Sequence, residues 1–287
     1  MPPPSKTELL RDRLAGPGLV RVAGAHDALS ARVAEEVGFD AVWASSLAIS
    51  AARGLPDMSL LTMTDYLQAA GHINDVCAVP VIADCDTGFG DTVNVAYMVR
   101  QYEAAGIAAV CIEDKVFPKR NSFVEADQVL EDADRFARKI EIAKKTQSSK
   151  DFLLIARTEA AIAGAGVGEA LRRAHRYVDA GADAVLMHSK SAQPDEVLSF
   201  LAEWQRRAPV VVVPTTYYGW SADRAAAAGA SMVIYANQAL RASVQSMRQT
   251  LGEVLADGSS VGIEDRIAPM AEIFRLQRVD DWLALEA

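Results

Sequence analysis

The chain lacks what several protein classes require. Its three cysteines, Cys77, Cys85 and Cys111, are an odd number without a short paired spacing. They provide neither a disulfide framework nor a cysteine-ligated zinc site and fit a reducing compartment. Basic residues are in the minority, with 29 Lys and Arg against 38 Asp and Glu and a net charge of −9. No basic stripe is present to neutralise phosphates, so nucleic acid is not an expected partner. Apolar runs stop short of membrane length and Met1–Lys6 holds no apolar signal core, so no membrane partner is expected and the expected setting is cytoplasmic. Also missing is any Pro/Ser-rich linker that would divide the chain. What remains, with 51% apolar and 23% charged residues, is the composition of a folded globular protein and not of a disordered chain or coiled coil.

Eight short, nearly continuous apolar runs alternate with Ala-rich segments: Leu19–Gly24, Ala41–Ser45, Val79–Cys85, Ala109–Glu113, Phe152–Thr158, Ala184–His188, Val210–Thr215 and Met232–Ala236. Runs without in-out alternation are expected of parallel strands buried on both faces. Between them, Leu29–Val37, Thr92–Ala105, Gln128–Lys145, Glu169–Ala180 and Ala222–Ala228 read as helices. An internal echo supports this order. Val37-Gly38, Ala105-Gly106, Ala180-Gly181 and Ala228-Gly229 each stand three residues before an apolar strand start. Each Gly falls where a helix ends and a left-handed cap is wanted. All four precede even-numbered strands, so the repeating unit is two β/α modules and four units close a barrel. The expected fold is α/β, a (β/α)8 TIM barrel spanning 1–287 as a single domain. Residues 238–287 form terminal helices (Gln238–Leu255 and Ile263–Leu285) whose apolar residues need cover from the barrel or a neighbouring subunit.

In such a barrel the chemistry sits at the carboxyl ends of the strands. The third run ends Asp84-Cys85-Asp86-Thr87-Gly88, the fourth Glu113-Asp114-Lys115, the fifth Arg157-Thr158-Glu159 and the sixth His188-Ser189-Lys190. Period-two alternation points Asp84 and Asp86 to one side and Cys85 to the other. An Asp-x-Asp before Gly alone reads as a solvated turn. Acids on neighbouring strand ends repel one another unless a hard cation joins them, and oxygen ligands suit Mg2+. His188 reads equally well as a satisfied barrel histidine or a substrate contact, and His26, His72 and His175 as structural or surface groups. Two other motifs are decoys. Gly164-Ala165-Gly166-Val167-Gly168 has Glu169 where a dinucleotide fingerprint needs its third glycine and reads as a flexible loop. Ser45-Ser46 is not a nucleophile elbow, and no His lies nearby in sequence to activate it.

Nearly the whole chain resembles the phosphoenolpyruvate mutase family, within the isocitrate lyase and phosphoenolpyruvate mutase superfamily. The carriers are Trp43-Ala44-Ser45-Ser46-Leu47, Gly54-Leu55-Pro56-Asp57, Asp84 to Gly90, Glu113 to Ser122, Ala156-Arg157-Thr158-Glu159-Ala160, Met187-His188-Ser189-Lys190 and Phe274-Arg275-Leu276-Gln277. The resemblance implies interconversion of phosphoenolpyruvate and phosphonopyruvate, a small-molecule substrate, with Mg2+ as cofactor. Asp84 would ligate the metal directly, and Asp57, Asp86 and Glu113 would hold its waters. Trp43, Ser45, Ser46 and Leu47 would hold the carboxylate and enol end of the substrate. Arg157 and His188 would grip the phosphoryl group under a closing loop bearing Lys119, Asn121 and Ser122. Asp57 would orient that group or carry it transiently. The resemblance also implies a homo-oligomer, a tetramer built as a dimer of dimers that exchange their C-terminal helices.

Superfamily lyases carry a cysteine on the gating loop, whereas Lys119-Arg120-Asn121-Ser122 has none, so lyase chemistry lacks its proton donor. Mutases usually have Thr where this chain has Arg120 and Gly where it has Ser46. The related phosphonopyruvate hydrolase tends to carry Thr in place of Asn121, so Asn121 favours the mutase. Hydrolysis of phosphonopyruvate to pyruvate and phosphate is the alternative activity, and a non-catalytic ligand sensor a third reading.

Overall fold

Eight parallel strands close on themselves in chain order in the computed structural model, which describes residues 4–286. They are β1 (Val20–Ala25), β2 (Ala41–Ala44), β3 (Val81–Asp84), β4 (Ala109–Glu113), β5 (Leu153–Thr158), β6 (Ala184–Met187), β7 (Val210–Val212) and β8 (Met232–Tyr235). Each pairs in parallel with its neighbours, and β8 closes on β1 through Val20↔Met232 and Val22↔Ile234. The expected (β/α)8 barrel is the observed one. The four echo glycines are left-handed, with φ of 94° at Gly38, 74° at Gly106, 106° at Gly181 and 103° at Gly229. A side chain would be strained at these helix ends.

Alternate strand residues separate two kinds of core. Trp43, Ile82, Ala109, Cys111, Leu153, Ile155, Ala184, Leu186, Val211 and Ile234 share the cluster that fills the barrel. Val42, Ala83, Val110, Ile112, Leu154 and Ala156 face the surrounding helices instead. A helix before the first strand, Lys6–Ala15, adds fully buried Leu10 to the interior cluster. Burying such a side chain contributes roughly 1.5–3 kcal/mol. Its start follows a capping box: Ser5 accepts the Glu8 N–H, and Glu8 accepts the Ser5 N–H.

Two local expectations are corrected. The helix expected over Gln128–Lys145 runs Ala133–Thr146, because residues just before it extend alongside Lys115 and Val116. Leu130 bridges Lys115, and the Val116 N–H donates to the Val129 carbonyl at 3.0 Å. The glycine-rich stretch expected as a loop contributes its last three residues to the helix Gly166–Asp179, whose buried Ala170, Leu171, Ala174 and Tyr177 give it a packed face. That burial overrides the low helix propensity of Gly166 and Gly168.

The chain divides into two compact units, the barrel through Asn237 and the residues from Gln238 onward. The second unit consists of the helices Gln238–Asp257, Met270–Gln277 and Val279–Leu283, which contain no buried residue. Met247, Leu251, Leu255, Met270, Phe274 and Trp282 are exposed on it.

Gly24 on β1 lies where the chain leaving β8 crosses closely, and a Cβ there would stand 2.0 Å from the Ala236 carbonyl oxygen. Backbone on backbone cannot yield as a flexible side chain would. Gly24→Ala should therefore lower the melting temperature, with a loss of about 2–3 kcal/mol of stability. An unchanged melting curve would show that this approach is not close.

Candidate active site

The barrel interior sets the site. Continuing the interior face of each strand by two residues leads from Trp43 to Ser45, from Ile82 to Asp84, from Cys111 to Glu113, from Ile155 to Arg157, from Leu186 to His188 and from Val213 to Thr215. All twelve residues except Ile82, Cys111, Ile155 and Leu186 line one cavity of about 50 Å3 at the carboxyl ends of the strands. Leu47, Asp57, Lys119, Asn121 and Ser122 complete the sequence-derived lining. Two expected site residues lie behind the wall. Ser46 is fully buried and its Oγ donates to Asp84 Oδ2 at 2.9 Å. Asp86 is 1% exposed and follows the strand in a left-handed conformation with φ of 50°. Strand alternation therefore does not orient Asp86 as the sequence suggested. It reaches the site through Lys119, whose Nζ lies 2.7 Å from its Oδ1.

The acidic side is organised around that lysine. Lys119 Nζ donates to Ser46 Oγ at 3.0 Å and Asp57 Oδ2 at 3.2 Å, and lies 3.0 Å from Asp57 Oδ1. Burial alone would depress the Lys119 pKa, but Asp86 and Asp57 outweigh it and hold the ammonium well above its usual range. Burial also opposes ionisation of Asp57. The Lys119 charge and a 2.8 Å hydrogen bond from Asn121 Nδ2 overcome it and leave the Asp57 pKa below its usual value. At Asp86 burial wins, raising the pKa to about 6 with help from Asp84 and Asp57. Glu113 is raised by burial to about 7 despite Arg157 and Lys119.

The opposite side is cationic and centres on a residue without an assigned sequence role. Glu159 is fully buried, and its Oε1 accepts from Arg157 Nε at 2.5 Å and faces His188 Nδ1 at 2.6 Å. Burial opposes its charge, yet Arg157 and His188 hold its pKa well below the carboxylate range. Burial, then the Arg157 charge, lowers the His188 pKa. The Glu159 N–H donates to Asp114 Oδ1 at 2.7 Å, and Asp114 in turn accepts from Tyr177 Oη at 2.6 Å and Arg173 at 3.1 Å. This second layer of charge fixes the backbone beneath the first.

From the segment between Lys115 and Leu130, Lys115 and residues 119–123 line the cavity. Besides Lys119 and Asn121 on Asp57, Ser122 Oγ donates to Glu159 Oε2 at 2.6 Å, and the Phe123 ring meets His188 edge-on at 5.8 Å. Lys115, Arg120, Phe123, Thr215 and Asn237 line the cavity without having been given a site role from sequence. The signal for Lys115 and Glu159 was present, because each stands two residues beyond a chosen site residue, Glu113 and Arg157.

The donor set suits a cation held largely through water. Both Glu113 oxygens, Asp57 Oδ1 and Asp86 Oδ1 are buried without a hydrogen bond, their only ion-pair partners among the described residues being Arg157 at 3.2 Å and Lys115 at 3.9 Å for Glu113 and Lys119 for the two aspartates. Asp84 stays accessible from the cavity at 8% exposure. Among the described residues, no three His, Cys, Asp or Glu side chains converge closely enough to hold an ion by themselves. One direct carboxylate with water-mediated neighbours is the arrangement Mg2+ commonly takes.

A parallel barrel that gathers buried acids, an arginine–histidine pair and a buried lysine at its carboxyl rim fits an enzyme acting on a small molecule, of the phosphoenolpyruvate mutase and isocitrate lyase superfamily type. The phosphoenolpyruvate phosphomutase family model matches residues 10–255. A phosphoenolpyruvate phosphomutase of Tetrahymena pyriformis is 42% identical over 96% of this chain and 92% of its own length. The crystal structure of a phosphoenolpyruvate phosphomutase from Streptomyces platensis subsp. rosaceus superposes with a TM-score of 0.96 at 53% identity, covering 98% of both chains. Phosphonopyruvate hydrolase in complex with oxalate and Mg2+ superposes with a TM-score of 0.94 at 39% identity, covering 99% of this chain and 98% of that one. The chain belongs to the phosphoenolpyruvate phosphomutase family, a family of phosphotransferase mutases. Among the described residues, no helix is long and apolar enough to cross a membrane.

Removing Arg173 would leave the fully buried Asp114 without its cation. Arg173→Met should cost about 3 kcal/mol in denaturant unfolding, the usual loss when one partner of a buried pair is removed. A loss below about 1 kcal/mol would mean that the tyrosine and backbone donors suffice.

Proposed function

We propose that this enzyme interconverts phosphoenolpyruvate and 3-phosphonopyruvate with Mg2+. The observation that carries this reading is the shut lid: Asn121 and Lys119 both grip Asp57 above a small cavity. Moving a phosphoryl group between two atoms of one molecule requires stabilising a loose, metaphosphate-like species while water is kept out. The bond from the enol oxygen to phosphorus breaks with its electron pair staying on oxygen, leaving the enolate of pyruvate. C3 of that enolate then supplies the pair for the new bond to phosphorus, and the reverse path regenerates phosphoenolpyruvate.

Each side of the cavity has a part. Asp84 would hold the Mg2+ directly, with Asp57, Asp86 and Glu113 holding its waters. When bound, the ion supplies a fixed double positive charge beside the carboxylate and enol end of the substrate. Trp43 and the backbone of Ser45, Ser46 and Leu47 hold that end of the molecule. Arg157, His188, Asn121 and Ser122 surround the phosphoryl group, where preorganised donors stabilise charge most effectively. Asp57, with Oδ2 engaged by both Asn121 and Lys119, orients the group in transit. Phosphorus NMR decides the reaction. Phosphonopyruvate incubated with enzyme and Mg2+ should give phosphoenolpyruvate without inorganic phosphate, and Asp84→Ala should lose this turnover while keeping its circular dichroism. Release of phosphate and pyruvate would assign the chain to hydrolysis instead.

We further infer that the exposed apolar helices of residues 238–287 are covered by a second copy of the chain, in a dimer of dimers that exchange these helices. Exposed apolar surface on this scale marks an interface. Light scattering on the eluting protein should give four chains per particle, and a monomer mass would contradict the exchange.

A further inference from the structure

One fully buried carboxylate holds both the phosphoryl-gripping pair and the lid, with a different oxygen for each. Oε1 of Glu159 accepts from Arg157 Nε at 2.5 Å and lies 2.6 Å from His188 Nδ1. Its Oε2 accepts from Ser122 Oγ at 2.6 Å and lies 2.9 Å from Lys115 Nζ. Lys115 carries the connection into the lid, donating to Ser122 Oγ at 2.7 Å and to the Arg120 carbonyl at 2.9 Å. The carboxylate cannot rotate freely, since both of its oxygens are engaged on opposite sides and the backbone N–H of the same residue is tied to Asp114. His188 Nδ1 sits between Glu159 Oε1 at 2.6 Å and the Arg157 Nη2 donor at 2.8 Å, so the ring is held by both members of the Arg157–Glu159 pair.

We propose that Glu159 is a positioning residue that couples closure of the lid to the setting of Arg157 and His188. With the lid shut, Ser122 and Lys115 fix Oε2, and the rigid carboxylate then holds Oε1 where Arg157 and His188 must meet the transferring group. With the lid open, that carboxylate loses the Ser122 donor, and the pair on its other oxygen is less well fixed. Premature transfer to water is thereby discouraged, because the gripping pair is completed only after water has been shut out. The inference rests on the reading above that Arg157 and His188 face the phosphoryl group.

The test uses three readouts on the full chain: total consumption of phosphonopyruvate by either route, trypsin cleavage after Arg120 in the presence of Mg2+ and oxalate, and the 15N shifts of the His188 ring. Glu159→Gln should lower kcat about 100-fold with KM changed less than about threefold, the pattern of lost transition-state positioning. The same variant should accelerate lid cleavage about tenfold or more, because cleavage tracks the open population, and should shift the His188 signals. Ser122→Ala, which leaves every charge in place but also removes a 3.3 Å contact from Arg157 Nη2, should accelerate cleavage and move the His188 shifts in the same direction as Glu159→Gln, and should move them no further when combined with Glu159→Gln. Should Glu159→Gln fail to fold, Glu159→Asp takes its place, since one methylene fewer cannot span both sides and should release one of them. Coupling is overturned if Ser122→Ala opens the lid while leaving the His188 signals as in the wild type, or if Glu159→Gln retains wild-type kcat. If the wild type consumes no phosphonopyruvate, the reading of the reaction fails, while the cleavage and 15N results still decide the coupling.

Discussion

More negative than positive charge is buried at the mouth of this barrel, and the rest of the site is arranged to manage that excess. Among the described residues, Asp57, Asp84, Asp86, Glu113 and Glu159 are met by only three lysine and arginine side chains, Lys115, Lys119 and Arg157. Carboxylates crowded into a low-dielectric space cannot all stay ionised without compensation. One side, around Glu159, is fully satisfied by an arginine, a lysine, a serine and a histidine. The other keeps both Glu113 oxygens, Asp57 Oδ1 and Asp86 Oδ1 without a hydrogen bond among the described residues. This division separates an internally paired side from a side suited to a divalent ion, and under the proposed reaction the two ends of the substrate would meet different surroundings.

The fold was largely legible because parallel strands buried on both faces leave a plain record. Ala109–Glu113 matches its expected bounds, and the other strands differ only at their ends, where apolar residues such as Val79 and Val213 continue past the last paired position. The barrel order followed from the glycine echo, since a left-handed helix end cannot carry a side chain cheaply. What failed had tertiary causes. Residues 128–132 are apolar enough for a helix but pair with the start of the lid, and the glycines at 166 and 168 are carried into a helix by the packing of Ala170, Leu171 and Tyr177. The first helix went unread although Ser5 and Glu8 spelled its capping box.

The site was legible to a different extent on its two sides. Residues that continue an interior strand face, such as Asp84, Glu113, Arg157 and His188, stand where period two puts them. Asp86 does not obey that rule, because the chain turns left-handed there and Lys119 brings it into the site from above. Glu159 and Lys115 obey the rule but carry no role that a motif announces. Their importance appears only when both oxygens of one carboxylate are seen to serve different parts of the molecule. Lid residues are the least legible, since Asn121 and Ser122 act through contacts with Asp57 and Glu159 that lie 64 and 37 positions away in the chain.

Family membership places this chain among phosphotransferase mutases, and its nearness to a phosphonopyruvate hydrolase shows how little separates transfer within a molecule from transfer to water. The surplus carboxylate charge at the rim, with Asp84 facing the cavity and the Glu113 oxygens free of hydrogen bonds, is tested most directly by calorimetric titration of Mg2+ in the presence of oxalate. One ion should bind per chain, at least about tenfold more weakly in Asp84→Ala, an increment of about 1.4 kcal/mol. Absence of binding heat, or equal affinity in the variant, would contradict the claim that the surplus charge at the rim is there to hold a divalent ion.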